Sequence, residues 1–271
     1  MRHILLALLW AVFSIAPLAA QDSLSVAAEE GSVSSLPPAL DAGKSIAQAQ
    51  QSYDAADYAQ AIQLYEGLIA QRGASAALYY NLGCAYFKQK EYARAILNLE
   101  RCLLLNPGDE DAKVNLAMAQ AQTVDKIETI TPPVFVTWSN ALRDCFSALV
   151  WSRLVIVCFL LFLVFSAVYF FGRKRGLRRF GFYLALLALA LAAVSYFYAD
   201  AQNNRLVHRD YAIVMAPTVT VRSSPADSGT QLFTLHEGTK VRLRSTLSGW
   251  AEIELSDGNV GWLPQSSVEV I

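Results

Sequence analysis

The sequence predicts a membrane protein of several parts: an all-α solenoid, two transmembrane helices, and a small all-β barrel. Three observations predict it. Residues 154–172 and 180–199 are uncharged, strongly apolar runs of 19 and 20 residues. Each is long enough to span ~30 Å of hydrocarbon as a helix rising ~1.5 Å per residue. In the N-terminal half a motif returns after 34 residues. From Tyr211 the apolar period falls to two, with turn residues between the runs.

The two runs form a hairpin. Between them, at 173–179, Arg173, Lys174, Arg175, Arg178 and Arg179 place five positive charges in seven residues. Short loops rich in Lys and Arg stay in the cytoplasm. The segments before and after the hairpin are then expected on the periplasmic side of the inner (cytoplasmic) membrane. The alternative is a buried hairpin in a soluble protein, but such helices are shorter and rarely free of polar groups on every face. Neither run carries an ionisable side chain beyond Cys158 and tyrosines, so no ion or proton path is offered. The hairpin reads as an anchor.

Composition agrees with such a mixture. Hydrophobic residues reach 54%, above an ordinary globular protein, while charged residues still make up 17%. A net charge of -1 gives no nucleic-acid footprint. Cys84, Cys102, Cys145 and Cys158 show no CxxC spacing and no paired histidine ligands, so they read as small packing residues rather than a metal site.

At the N-terminus, 1–20 has the form of a signal peptide: Arg2 and His3, an apolar core from Ile4 to Ile15, then Pro17-Leu18-Ala19-Ala20. Without cleavage it would be a third anchor. Residues 21–41, rich in Ser, Ala, Glu and Pro, are expected to be a flexible leader.

Residues 42–122 contain the repeat. YDAADYAQAIQLYE from Tyr53 aligns with FKQKEYARAILNLE from Phe87, setting Tyr58 opposite Tyr92, Ala61 opposite Ala95 and Glu66 opposite Glu100. Gly83 and Ala95 permit close helix approach, Leu82, Tyr86, Leu99 and Cys102 fill the space between, and Pro107 ends the second helix. These positions resemble the tetratricopeptide repeat. The first copy departs from the pattern at Ala49, Ser52 and Gly73, so it is expected to be looser, and 110–122 reads as a capping helix. The resemblance implies a peptide groove lined by the first helix of each repeat. On this sequence that maps to Tyr53, Tyr80, Asn81, Phe87, Lys88 and Asn115, with Cys84 among them. The cation set that clamps a terminal carboxylate is missing, which favours a short apolar or mixed peptide. Alternatively, Tyr80 and Phe87 merely cover the neighbouring repeat.

Residues 123–153 lead to the membrane. Pro132-Pro133 breaks the helical pattern. Phe135, Trp138, Leu142, Phe146 and Leu149 then recur every three or four residues, a stripe suited to an interfacial helix. After a connector at 200–210, residues 211–271 alternate as about five strands, with Asp257-Gly258 as a hairpin turn. TVTVRSSP, LHEGTKVRL and GWAEIELSDGNVGWLP resemble, in order and spacing, a bacterial SH3-type (SH3b) domain. Trp250 is expected to be partly free as a contact residue and Trp262 to belong to the core. His236, alone in a turn, reads as structural.

No nucleophilic triad, metalloprotease motif or phosphate loop is present in the sequence, so a non-enzyme without a cofactor is expected. The module order resembles the BatE family of the Bacteroides aerotolerance operons. That resemblance implies a scaffold beside membrane-anchored von Willebrand A-type proteins and a MoxR-type ATPase complex. The alternative is a cell-wall tether that binds peptidoglycan through the SH3-type domain. Cys84 and Cys102 fall at groove and packing positions on consecutive helices, which does not favour a redox pair.

Overall fold

The computed structural model describes residues 42–127 and 133–271. The expected signal peptide (1–20), leader (21–41) and first proline of Pro132-Pro133 lie outside the described residues.

Five helices make the solenoid: α1 (Ala42–Asp54), α2 (Tyr58–Arg72), α3 (Ala76–Lys88), α4 (Tyr92–Leu105) and α5 (Glu110–Ala121). Side-chain caps set the starts of α2, α3 and α5. Asp57 accepts from the Gln60 N–H at 3.1 Å, Ser75 from Leu78 at 3.2 Å, and Asp109 from Ala112 at 3.0 Å. The repeat is visible in the backbone itself. Ala56 and Lys90, one period apart, both take the left-handed conformation, with φ of 60° and 66°, where each helix pair turns. At Gly83 a Cβ would lie 2.8 Å from Leu99 Cγ, so only glycine allows α3 and α4 this approach. Leu82, Tyr86, Leu99 and Cys102 are buried between the helices as expected. The first copy closes in the same form: Ala49 is fully buried, and Ser52 bonds Gln48 O and Gln60 Oε1.

Two further helices, α7 (Ala148–Phe171) and α8 (Arg175–Val207), are long and apolar enough to cross a membrane. A short helix, α6 (Val134–Asp144), precedes them. Gly181, Ala185, Ala188, Ala192 and Ser195 form the buried line of α8 where α7 packs. Small residues let the two backbones approach, and at Gly181 a Cβ would stand 3.1 Å from Phe165 O. α8 is longer than its apolar run. It begins inside the basic segment at Arg175 and continues to Val207. At the basic end, Arg178 Nε donates to Tyr169 O at 3.2 Å, satisfying a carbonyl at the C-terminus of α7.

The C-terminal unit has seven strands rather than about five: β1 (Tyr211–Val214), β2 (Thr218–Arg222), β3 (Gln231–His236), β4 (Lys240–Leu247), β5 (Trp250–Glu254), β6 (Val260–Pro264) and β7 (Val268–Val270). They form one antiparallel sheet in the order β3-β2-β6-β5-β4-β1-β7. This corrects the closed barrel. β3 and β7 do not pair, so the sheet stays open. Its core holds Ala212, Val214, Val221, Leu235, Val241, Ile253 and Leu263.

Sheet and solenoid are packed together. Ile213 and Ile271 belong to the buried core of the helices, with Met215 against it. Around this apolar seam, Lys240 Nζ lies 2.7 Å from Glu100 Oε2, and Arg101 Nη2 donates to Val270 O at 2.6 Å and meets Glu269 at 3.0 Å. Asp125, just beyond α5, captures the β3–β4 turn. It accepts from the His236 N–H at 2.7 Å, His236 Nδ1 at 2.8 Å and Thr239 Oγ1 at 2.8 Å. Burial pushes the Asp125 carboxyl up, but those bonds outweigh it and hold the group below its ordinary value of 3.8. The lone turn histidine thus has a structural partner.

The repeat explains the seam's position. Glu66 accepts from Tyr86 of the next copy. Its counterpart Glu100 has Gln120 one period further on, and its partner is Lys240 of the sheet. The sheet covers α4 where a further repeat would otherwise be needed.

Candidate protein-interaction surfaces

α1, α3 and α5 bring three of the expected groove residues, Tyr53, Tyr80 and Asn115, into proximity with Cys84. Tyr80 Oη accepts from Asn115 Nδ2 at 3.0 Å, and the same amide lies 3.4 Å from Cys84 Sγ. The bond fixes α5 against α3. Burial pushes the Tyr80 hydroxyl up to about 12, with Cys84 as the next cause, so the phenol is neutral and a hydrogen-bonding group only. Tyr53, from α1, is raised by burial and by the nearby Cys84. Its ring meets Tyr58 edge-on at 5.4 Å. Tyr65 donates to Gln50 at 3.2 Å and holds that side chain on α1. Among the described residues, no donor reaches Asn115 Oδ1. Exposed Ile46, Val114 and Met118 add apolar area on α1 and α5.

The other expected positions differ. Phe87 packs edge-on against Tyr92 at 5.7 Å and against the core, which places it as cover within its own repeat. Asn81 is half-buried and Lys88 exposed, both on α3. Trp250 lies on the sheet, in the other module. Both cysteines of the repeat are poor thiolates. Burial raises Cys84 and pushes Cys102 up to about 12.

On the sheet, Trp262 does not enter the core. Gly261 and Leu263 point inward, and a Cβ at Gly261 would strike Val221 Cγ1 at 2.4 Å. Alternation then turns Trp262 outward, onto the face of Trp250 and Pro264. The glycine of the Gly-Trp pair, not the tryptophan, makes the core contact. Leu247, paired with Trp250, is 55% exposed and extends this face. Glu252, opposite Trp262, adds a carboxylate.

Two distinct modules are therefore on view. Residues 76–109 match the tetratricopeptide repeat model, and residues 217–269 match the bacterial SH3 domain model. Both are typical of non-enzymatic interaction modules. Comparison with curated proteins finds no match for the chain. The match to the repeat covers the second copy, the one with the fuller sequence pattern, and the helix pair before it has the same form.

A separate cavity of about 1750 Å³ opens between the repeat domain, the mouth of the hairpin and the SH3-type domain. Leu104, Lys113, Asp144, Arg205, Tyr211 and Arg242 are among its lining. None of the expected contact residues lines it. Among the described residues no three His, Cys, Asp or Glu side chains gather as metal ligands.

Sequence reasoning missed the contact between modules, which rests on Glu100, Arg101, Asp125, His236, Thr239 and Lys240. One signal was present. α4 is apolar on two faces, with Ile96, Leu97, Leu103 and Leu104 beyond the stripe that α3 needs.

Proposed function

We propose that this chain is a membrane-anchored scaffold. α7 and α8 cross the inner membrane with the basic segment in the cytoplasm. The repeat and SH3-type domains stand as one platform on the periplasmic side, and the groove of α1, α3 and α5 holds a segment of a partner protein. The observation that carries this reading is the Tyr53–Tyr80–Cys84–Asn115 cluster. It offers aromatic surface and a positioned amide oxygen that no donor among the described residues reaches, the means to receive an extended peptide and one of its N–H groups. Asn81 and Lys88 flank it. The architecture resembles the BatE family, so membrane-anchored von Willebrand A-type proteins and a MoxR-type ATPase complex are the first partners to test.

A second reading rests on the outward face of Trp250, Trp262 and Pro264. Flat aromatic surface beside the Glu252 carboxylate suits a wall peptide or glycan, and the protein would then tether peptidoglycan.

One experiment separates them. Intact cells are crosslinked, and the full chain is recovered through a tag placed between the exposed Asp227 and Ser228. Asn81→Ala with Lys88→Glu leaves the core untouched and should remove protein partners. Trp250→Ala with Trp262→Ala should leave those partners and remove wall material, if any is bound. Unchanged protein recovery from the groove variant would sink the scaffold reading.

A further inference from the structure

α6 has an unusual division of polar and apolar groups. Across residues 133–149 the charged side chains are Arg143 and Asp144. They face each other, with Arg143 Nε 2.7 Å from Asp144 Oδ1 and Nη2 2.9 Å from Oδ2. Arg143 is only 11% exposed. Ser139 Oγ meets Tyr198 Oη of α8 at 3.3 Å, and Thr137 Oγ1 returns to its own backbone at Pro133 O. The large exposed side chains of this stretch are apolar: Phe135 is 73% exposed and Trp138 74%, with Val134, Leu142, Phe146 and Leu149 also open. Monomers in water rarely show contiguous apolar patches beyond about 300–600 Å².

This face is fixed, not a loose linker. Gln202 Nε2 on α8 donates to Arg143 O and Phe146 O, each at 2.7 Å, and Trp151 Nε1 donates to Arg143 O at 2.9 Å. These bonds satisfy carbonyls at the end of α6 and in the bend that follows. Past the bend the exposed apolar surface runs on through Leu149, Ile156, Phe159 and Leu163 of α7.

We propose that α6 is a third membrane contact: its Phe135–Trp138–Leu142 face lies in the headgroup–acyl boundary of the leaflet nearest the two modules. The occupant is a lipid surface because the stripe is continuous with the candidate span and carries no charge that would orient a protein partner. Trp138 suits that depth, with an apolar body and one polar N–H. Clamped to α8, the helix holds the modules at a set height above the bilayer. The inference rests on the reading of α7 and α8 as spans.

The test uses the full chain in vesicles of phosphatidylcholine and phosphatidylglycerol, labelled with fluorotryptophan. The Trp138 resonance is assigned by its loss in Trp138→Phe. A nitroxide lipid labelled near the headgroup should broaden it several-fold more than a water-soluble paramagnetic chelate does. Phe159→Trp, at an exposed position within α7, reports the span and should respond to a nitroxide deep in the acyl chains. If Phe159→Trp responds to lipid while Trp138 responds only to the chelate, α6 is not a membrane contact and the span reading survives. If neither responds to lipid, both readings fall together.

Discussion

The Asp125 carboxylate takes three hydrogen bonds from one turn of the SH3-type domain, so its removal leaves a part-buried backbone N–H and a hydroxyl unpaired. Asp125→Ala should lower stability by about 1–3 kcal/mol, read by denaturant titration, with early loss of exchange protection at the His236 amide. The pH dependence has a definite sign. A carboxyl held below 3.8 in the folded chain adds stability that is complete above 3.8 and is lost as pH falls through the native value. His236 amide protection should therefore hold from neutrality to about pH 5 and decline below the ordinary carboxyl range. Asp125→Asn should remove that acid step. Gly83 gives a second residue-level prediction. A Cβ there would meet Leu99 and the Ala95 carbonyl, so Gly83→Ala should cost about 1–3 kcal/mol through overpacking. A stability unchanged within error would show that α3 and α4 separate more easily than their packing implies.

Periodicity made the elements legible. A 34-residue repeat, two long apolar runs and a change to period two are local patterns, and each corresponds to its element in the fold. Features that depend on distant partners were not legible. The closed barrel failed because sheet closure depends on whether β3 and β7 meet, and neither strand's sequence encodes the other's position. Trp262 was misplaced because a close strand crossing at Gly261 decides which member of the pair faces inward. α8 runs past its apolar stretch to Val207, and the Gln202 amide there binds carbonyls at 143 and 146. Its small-residue line gives a test at this scale. Ala188, 5% exposed against α7, should not accept a large side chain. Ala188→Leu should splay the hairpin, measured as reduced disulfide crosslinking between cysteine pairs placed on α7 and α8. Undiminished crosslinking would contradict that packing.

At the scale of the molecule, the proposed contact residues divide into a groove on the repeat and a face on the SH3-type domain. The proximity of Tyr53, Tyr80 and Asn115 was legible because the repeat's spacing projects them from corresponding helices. Phe87 was read as groove lining or as cover for the neighbouring repeat; its ring meets Tyr92 of its own repeat, a contact set by helix-pair geometry rather than by sequence spacing. The joint between the domains was missed for the same reason: Asp125 and His236 are 111 residues apart in sequence. Its consequence is mechanical. Two modules on a flexible tether search for partners independently, whereas modules sharing a buried seam through Ile213 and Ile271 present their surfaces at a fixed separation. Partners held by both must fit that spacing. The most direct test of the scaffold is a photo-crosslinking amino acid at Asn81, activated in intact cells. A scaffold should give a protein adduct to an envelope partner, lost when Lys88→Glu is added. Adducts only to lipid or wall material, with no protein partner, would contradict it.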